Sequence, residues 1–348
     1  MTDESRVTLA HGAGGEMMSN LIENEILPLF AKDVGEINLN HLDDSAVVDD
    51  VVMTIDGHTV KPIFFPGGDL GSLSIAGTIN DLLAVGAQPI AICTALVIPE
   101  GFEMSKLKTI LESSAAVADE NDVPIIAGDT KVVGREDLDE PIMTTSGIGK
   151  RHTLLNENLE LAGGRKSRWL TDNNLNPGDK IILTGTVGDH GITILSAREG
   201  YGFGGNVKSD VCALNDVMEA ALRGKGVAAA KDPTRGGLAE TLNEWSSKSE
   251  IGIEIDESSI PMKDWVVSAA DMLGMDPLSI GNEGKFVLAV HPSRAEHILD
   301  GLHETKDGID AAIIGEATEN VNGVVLKTSV GGRRILERPI GDLVPRIC

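Results

Sequence analysis

The alternation of hydrophobic and polar positions changes period several times along the chain. Residues 51–55 form a short β-branched and apolar run, which predicts a strand. After the glycine-rich Pro66-Gly67-Gly68-Asp69-Leu70-Gly71, an alanine-rich stretch over 72–85 predicts a helix ending at Gly86. The apolar run 89–98 predicts a buried strand. Over 104–119, Leu107, Ile110, Leu111, Ala115, Val117 and Ala118 recur at helical spacing. Residues 123–127 predict a strand leading into Gly128-Asp129-Thr130-Lys131, and 141–149 a further strand. This alternation points to an α/β or α+β layer architecture.

The stretch 151–178 is polar and rich in Asn, Arg and Gly, and it is read as an interdomain linker. A second unit starts at 179–185, with strands predicted near 252–255, 285–290 and 311–314 and helices near 214–222, 238–245 and 294–302. The expected organisation is an N-terminal segment 1–40 with a glycine-rich loop, a domain over 41–150, the linker, an α+β domain over 179–330 and a tail over 331–348.

Composition narrows the function. The 348 residues carry 54 acidic and 29 basic side chains, a formal charge of −25. A polyanion binder needs clustered Lys and Arg, so neither nucleic acid nor an anionic membrane surface is an expected partner. Aromatic residues make only 3% of the chain, which argues further against a stacking platform for single strands and assigns the cores to Val, Ile, Leu and Ala. Three cysteines, Cys93, Cys212 and Cys348, give neither a disulfide framework nor a zinc pair, and fit a cytoplasmic protein. No signal peptide and no membrane-spanning run is expected.

Five Asp-bearing segments place a carboxylate beside small residues: Asp43-Asp44-Ser45-Ala46, Asp69, Asn80-Asp81, Gly128-Asp129-Thr130 and Asp232-Pro233-Thr234-Arg235-Gly236-Gly237. Converging carboxylates suit a magnesium-bridged polyphosphate. Any one Asp taken singly is better explained by turn chemistry, since its side chain bonds the local backbone, and only the several segments together bring the two readings level. His11-Gly12-Ala13-Gly14-Gly15 and Pro66-Gly67-Gly68 could cradle phosphate through backbone N–H groups, but neither has P-loop or Rossmann spacing. Lys131 could neutralise developing charge and Glu283 accept a proton, or both could be salt-bridge residues. His11 and His58 could orient a nucleotide or shuttle a proton.

Cys348 follows Pro345-Arg346-Ile347, and Arg346 would favour its thiolate. A prenylation box is excluded, because the cysteine is last instead of fourth from last. A thiol carrying a covalent group on an arm and an accidental terminal residue both stay open on these grounds.

In order along the chain, Leu9 to Gly15, Asp43 to Ala46, Asp56-Gly57-His58-Thr59-Val60, Phe64 to Asp69, Gly77 to Gly86, Gly128 to Val133, Lys231 to Gly237, Asn282 to Lys285 and the final Pro345-Arg346-Ile347-Cys348 resemble the HypE family of hydrogenase expression/formation proteins. That family sits in the superfamily of aminoimidazole ribonucleotide synthetase, selenophosphate synthetase and thiamine-monophosphate kinase. The resemblance implies a two-domain α/β and α+β (PurM-like) fold, with N-terminal strands forming a barrel across a homodimer and a flexible C-terminal tail. It implies that a carbamoyltransferase, HypF, loads Cys348 and that ATP then dehydrates the carbamoyl group to a thiocyanate. The cyanide passes to iron on a HypC–HypD scaffold.

By the same resemblance, Cys348, Lys131, Glu283 and His58 are catalytic. Gly12, Gly14, Gly15, Asp69, Asn80, Thr130 and Asn282 contact ATP, and Asp44, Asp81, Asp129 and Asp232 hold Mg2+. The alternatives are another superfamily enzyme, selenophosphate synthetase-like or a small-molecule kinase, and a non-catalytic ATP-binding scaffold. The missing cysteine in the His11–Gly15 loop counts against the selenium enzyme. The acidity concentrates in residues 1–150, with 25 acids and 8 bases, where the proposed ligands sit. The tail carries a net +2, so its docking on the acidic body is expected to weaken with salt.

Overall fold

A computed structural model of the chain describes residues 6–203 and 207–339; Cys348 and the expectations for 340–348 lie outside the described residues. The N-terminal half contains β1 (Ala46–Val48), β2 (Val51–His58), β3 (Phe64–Phe65), β4 (Gly68–Asp69), β5 (Ala87–Pro99), β6 (Ile125–Val133) and β7 (Ile142–Arg151). Its helices are α1 (Glu16–Leu21), α2 (Leu27–Phe30), α3 (Leu70–Ala84), α4 (Met104–Glu120) and α5 (Leu155–Ala162). β1, β2, β7, β5 and β6 form one sheet in that order, antiparallel except for β5 with β6.

One face of this sheet is packed against α3, a helix buried nearly all round because Leu, Ile and Ala occupy every side of it. Along β2, Val52, Thr54 and His58 are buried on that side, while Val51, Met53 and Ile55 point the other way and are exposed. β6 lies at the sheet edge with Ile125 to Val132 exposed. The period-2 alternation is therefore present, and among the described residues its second apolar face has no covering layer.

The C-terminal half contains β8 (Lys180–Leu183), β9 (Val227–Lys231), β10 (Gly252–Asp256), β11 (Val287–Val290), β12 (Ala312–Thr318), β13 (Val324–Lys327) and β14 (Arg333–Ile335). With them come α6 (Asp189–Glu199), α7 (Asn215–Gly224), α8 (Gly237–Ser249), α9 (Asp264–Leu273) and α10 (Ala295–His303). The sheet order is β14-β13-β10-β12-β8-β11-β9. Its central strands read as continuous apolar runs because both faces are covered. Ile182, Leu288, Val290 and Ala230 join one apolar cluster, while Ile181, Leu183, Val287, Ala289 and Ala229 join a second with Leu238, Leu242 and Trp245 of α8. The first cluster is continuous with the core around α3, from Ile37 and Leu73 to Phe286 and Ile298.

Three local expectations change. The 151–178 stretch is no open linker: it holds α5 and a run, Trp169, Leu170, Asp172, Asn174 and Leu175, that is buried. Asp129, Thr130 and Lys131 lie inside β6, because the ladder with β5 continues through Gly128 to Val133 instead of turning. Asp81 lies within α3, as the helix predicted over 72–85 implies, so turn chemistry does not account for it.

Candidate active site

Asp44 precedes β1. Alternating residues of β2 put Thr54, Asp56 and His58 on the face toward α3, and α3 supplies Gly77 and Asp81. From the other half, the turn after β9 supplies Asp232, Thr234 and Arg235, and the segment before β11 supplies Glu283. These residues, with Ile55 and Gly57, line one cavity of about 200 Å³ between the halves. Asp44, Asp81, Asp232, His58 and Glu283, five of the residues singled out by the sequence, are thus brought together.

The cavity is electrostatically crowded. Asp81 Oδ2 accepts from Thr54 Oγ1 at 2.7 Å, yet burial and the charges of Asp232, Asp56 and Asp44 push its carboxyl far above the usual range. Burial and Asp44 raise Asp232 to about 8. Asp44 rises to about 6 through burial and Asp172, against the pull of Lys231, whose Nζ is 3.0 Å from Asp44 Oδ1. His58 is driven below its usual value by burial, with Asp56 opposing, and its Nε2 lies 3.1 Å from Thr145 Oγ1. The ring is therefore neutral at pH 7 and fixed by the hydroxyl.

Among the described residues, no group of three or more His, Cys, Asp or Glu side chains is arranged to hold a metal ion by itself. The donor set still fits magnesium, which typically takes only one or two carboxylates and completes its octahedron with water and phosphate oxygens. A cation here would offset the burial and the neighbouring negative charges that now favour the protonated forms of Asp81 and Asp232.

A second cavity of about 300 Å³ shares Asp44, Asp232, Thr234 and Arg235 with the first and is bounded by Gly14 and Gly15. At Gly15 the backbone has φ +80°, and a Cβ there would stand 2.1 Å from the carbonyl oxygen of Pro339. Glu16 N donates to that oxygen at 3.3 Å. The glycine loop is thus stapled to the root of the tail. Gly12 lies farther out, exposed and with open space around it.

Other expected residues stand elsewhere. Asp69 caps α3: its Oδ1 accepts from Gly71 N at 2.8 Å and Ser72 N at 3.0 Å, and Ser113 Oγ donates to it as well. Asn80 is buried and donates to the carbonyls of Cys212 (3.0 Å) and Glu283 (3.2 Å) while accepting from Leu214 N (2.9 Å). Asn282 likewise bonds Pro233 O, Ile280 O and Gly188 N. Both amides join backbone segments and present no donor to the cavity. Asp129 and Lys131 form an exposed ion pair at 2.6 Å on β6, with Thr130 exposed between them, and none of the three lines the cavity. Among the described residues β6 is an edge strand paired only with β5, and within one chain it holds them away from the cavity.

Four residues outside the initial site set complete the geometry: Asp56, Arg235, Lys231 and Asp172. Asp56 stands two residues before His58 on a strand, and that spacing alone puts it on the same face. Arg235 Nη2 lies 3.5 Å from Asp56 Oδ1. Lys231 is shared by Asp44, Asp172 and Glu244.

The N-terminal domain of the AIR synthase related protein family matches residues 42–150, and its C-terminal domain matches residues 176–327. A putative hydrogenase expression/formation protein of Methanocaldococcus jannaschii is 47% identical over 350 residues, covering 99% of this chain and all of the relative. The carbamoyl dehydratase HypE of Rhizobium leguminosarum bv. viciae is 40% identical, covering 99% of this chain and 95% of the relative. Among solved structures, a HypE–HypF complex contains a chain superimposing with a TM-score of 0.84 at 38% identity, covering 92% of this chain and 99% of that one. A hydrogenase maturation protein HypE in complex with ATP gives 0.79 at 36% identity, covering 99% and 100%.

Proposed function

This chain belongs to the HypE family of hydrogenase expression/formation proteins, and from that membership we propose that it is a carbamoyl dehydratase. It uses ATP to convert an S-carbamoyl group on Cys348 to a thiocyanate, the cyanide source for nickel–iron hydrogenase maturation. The observation that carries this reading is the gathering of Asp44, Asp81, Asp232, His58 and Glu283 in one cavity between the halves. The adjoining cavity ends at Gly15, against Pro339. Pro339 is nine residues from Cys348, a contour of at most about 30 Å, so the thiol is within reach of the cavity.

The chemistry asks for few groups. A carbamoyl oxygen leaves poorly as oxide and well as phosphate, so its capture of the ATP γ-phosphoryl group creates the leaving group. The C–O bond then breaks, two N–H protons are lost, and the C≡N bond is complete. Glu283, buried at the cavity wall, is the group we assign to proton removal. Neutral His58, held by Thr145 and beside Asp56, orients the reacting group. Magnesium held by one or two of the Asp44, Asp81 and Asp232 carboxylates, with phosphate oxygens completing its shell, would screen the phosphates from the remaining carboxylates. Gly14 and Gly15 line the phosphate side.

Lys131 and Asp129 enter through a homodimer. Ile55, 73% exposed, lines the cavity rim and belongs to the uncovered apolar face of the first sheet. A second copy packed on that face closes the rim and brings its own β6 edge toward it. HypF is the carbamoyl donor, in keeping with the solved HypE–HypF complex, and a HypC–HypD scaffold carrying iron takes the product. The setting is the cytoplasm, where three sparse cysteines stay reduced; among the described residues no helix is long and apolar enough to cross a membrane.

The test is incubation with the carbamoyltransferase, carbamoyl phosphate, ATP and magnesium, followed by mass spectrometry of the Cys348 peptide. Carbamoyl gain followed by loss of one water is expected. ATP binding without that loss would leave only a scaffold.

A further inference from the structure

Glu283 is placed in the cavity by its backbone, and that backbone is gripped from outside the cavity. Asp210 Oδ2 accepts from Glu283 N at 3.4 Å and from Gly284 N at 3.3 Å. The same oxygen meets Lys285 Nζ, whose ammonium is buried and also 3.5 Å from Asp189 Oδ2. Gly284 has no substitute here: a Cβ would stand 1.8 Å from Asp210 O and 2.8 Å from Cys212 Sγ. On the opposite side, the Glu283 carbonyl accepts from Asn80.

Asp210 is tied across the halves, since Ser209 N, one residue earlier, donates to Pro66 O at 2.8 Å. One carboxylate oxygen thus meets two successive amides, at the long end of hydrogen-bond range, and an ammonium, which ties three groups to one point. Lys285 supplies the opposite charge that makes its burial tolerable. Neither Asp210 nor Lys285 lines the cavity, so neither reaches the reacting atoms.

We infer that Asp210, neutralised by Lys285, is a positioning residue for Glu283, holding the Asn282-Glu283-Gly284 backbone so that the Glu283 carboxylate stays aimed into the cavity. The inference rests on the proton-removing role proposed for Glu283. Displacing a catalytic group by a fraction of an ångström slows the chemical step without weakening nucleotide binding.

The experiment compares full-length wild type with Asp210→Ala, which removes both acceptor and charge, and with Asp210→Asn, which keeps an acceptor of the same shape. Hydrogen exchange of the peptide containing Glu283 and Gly284 is expected to accelerate by about tenfold or more in Asp210→Ala, with exchange elsewhere in the core unchanged, and to return most of the way in Asp210→Asn. In the dehydration assay, kcat is expected to fall by about ten- to a hundredfold in Asp210→Ala with KM for ATP within about twofold, and to recover in part in Asp210→Asn. Exchange that does not change in Asp210→Ala would overturn the inference, as would faster exchange with normal kcat, or a loss carried by KM. Because exchange needs no turnover, it reads the grip on Glu283 even if the dehydratase reading itself fails. Should Asp210→Ala not fold, Asp210→Asn alone decides by the same two readouts, its partial loss set against wild type.

Discussion

Lys231 Nζ lies 3.0 Å from Asp44 Oδ1, so the strand that ends one sheet neutralises a carboxylate at the edge of the other. The same ammonium reaches Asp172 at 3.0 Å and Glu244 at 3.2 Å and is buried among them. Substituting Lys231→Met would leave Asp44 with no cation and Asp172 with Lys248 alone. Breaking a buried pair from one side typically costs about 3–5 kcal/mol, and a loss of that order is expected in urea unfolding. A loss below about 1 kcal/mol would show that the network relaxes onto water or Lys248.

Asp81 has the opposite balance. Its charge is disfavoured by burial and by three neighbouring carboxylates. Asp81→Asn keeps an acceptor for Thr54 and removes the repulsion, so the nucleotide-free protein should gain about 1 kcal/mol. If Asp81 holds the cation as proposed, dehydration should fall by about a hundredfold or more, because a ligand to the phosphate-bound ion is gone. Thermal unfolding and the mass-spectrometric assay on one preparation test both halves; lower stability together with normal activity would contradict the assignment.

Acid stability reads Asp172. Burial alone would raise its carboxyl, but Lys231 and Lys248 hold it down to about 2. That is below the ordinary value of about 3.9, so the ionised group favours the folded state, fully above about pH 4 and progressively less as the pH falls toward 2. Asp172→Asn should lose stability at neutral pH and show a shallower decline through that window. Urea titrations at stepped pH compare the two proteins, and curves that stay parallel between pH 4 and 2 would remove Asp172 from the account.

The uncovered sheet face predicts assembly. Val51, Met53 and Ile55 form an exposed apolar row on β2, and among the described residues the outer edge of β6 is unpaired. Ile55→Asp should halve the mass seen by light scattering while leaving the monomer folded, since Ile55 is not part of the core. Turnover should be lost with it if a second copy completes the rim. A variant that stays dimeric would move the interface elsewhere.

Much of the site was legible because Asp44, Asp81, Asp232 and Glu283 each stand next to small or amide residues in distinctive short segments. The fold around α3 was legible because its apolar stretch is bounded by glycine on both sides. What the sequence concealed has physical causes. Gly128-Asp129 has the composition of a turn, and only pairing with β5, more than 30 residues earlier, turns it into strand. Asn80 and Asn282 look like ligand-binding amides, yet their partners are backbone groups, those of Asn80 130 residues or more away. Asp172 sits in a stretch so polar that nothing local marks it as buried. In α5, Leu155, Asn158 and Ala162 keep a helical spacing, but the surrounding Arg, Asn and Gly mask it.

The apolar cluster that runs without a break from Ile37 and Leu73 to Phe286 and Ile298 bears on how such proteins can be recombined. Two family domains match this chain, yet a cut anywhere in 151–178 divides one interior in two and strips Trp169 from its packing. Each fragment would expose the apolar surface that the other covers, so neither is a portable module. Exchanging the C-terminal half for that of a relative is therefore a core redesign. It succeeds only where the residues of α3 that face α7 and β9 are exchanged along with it.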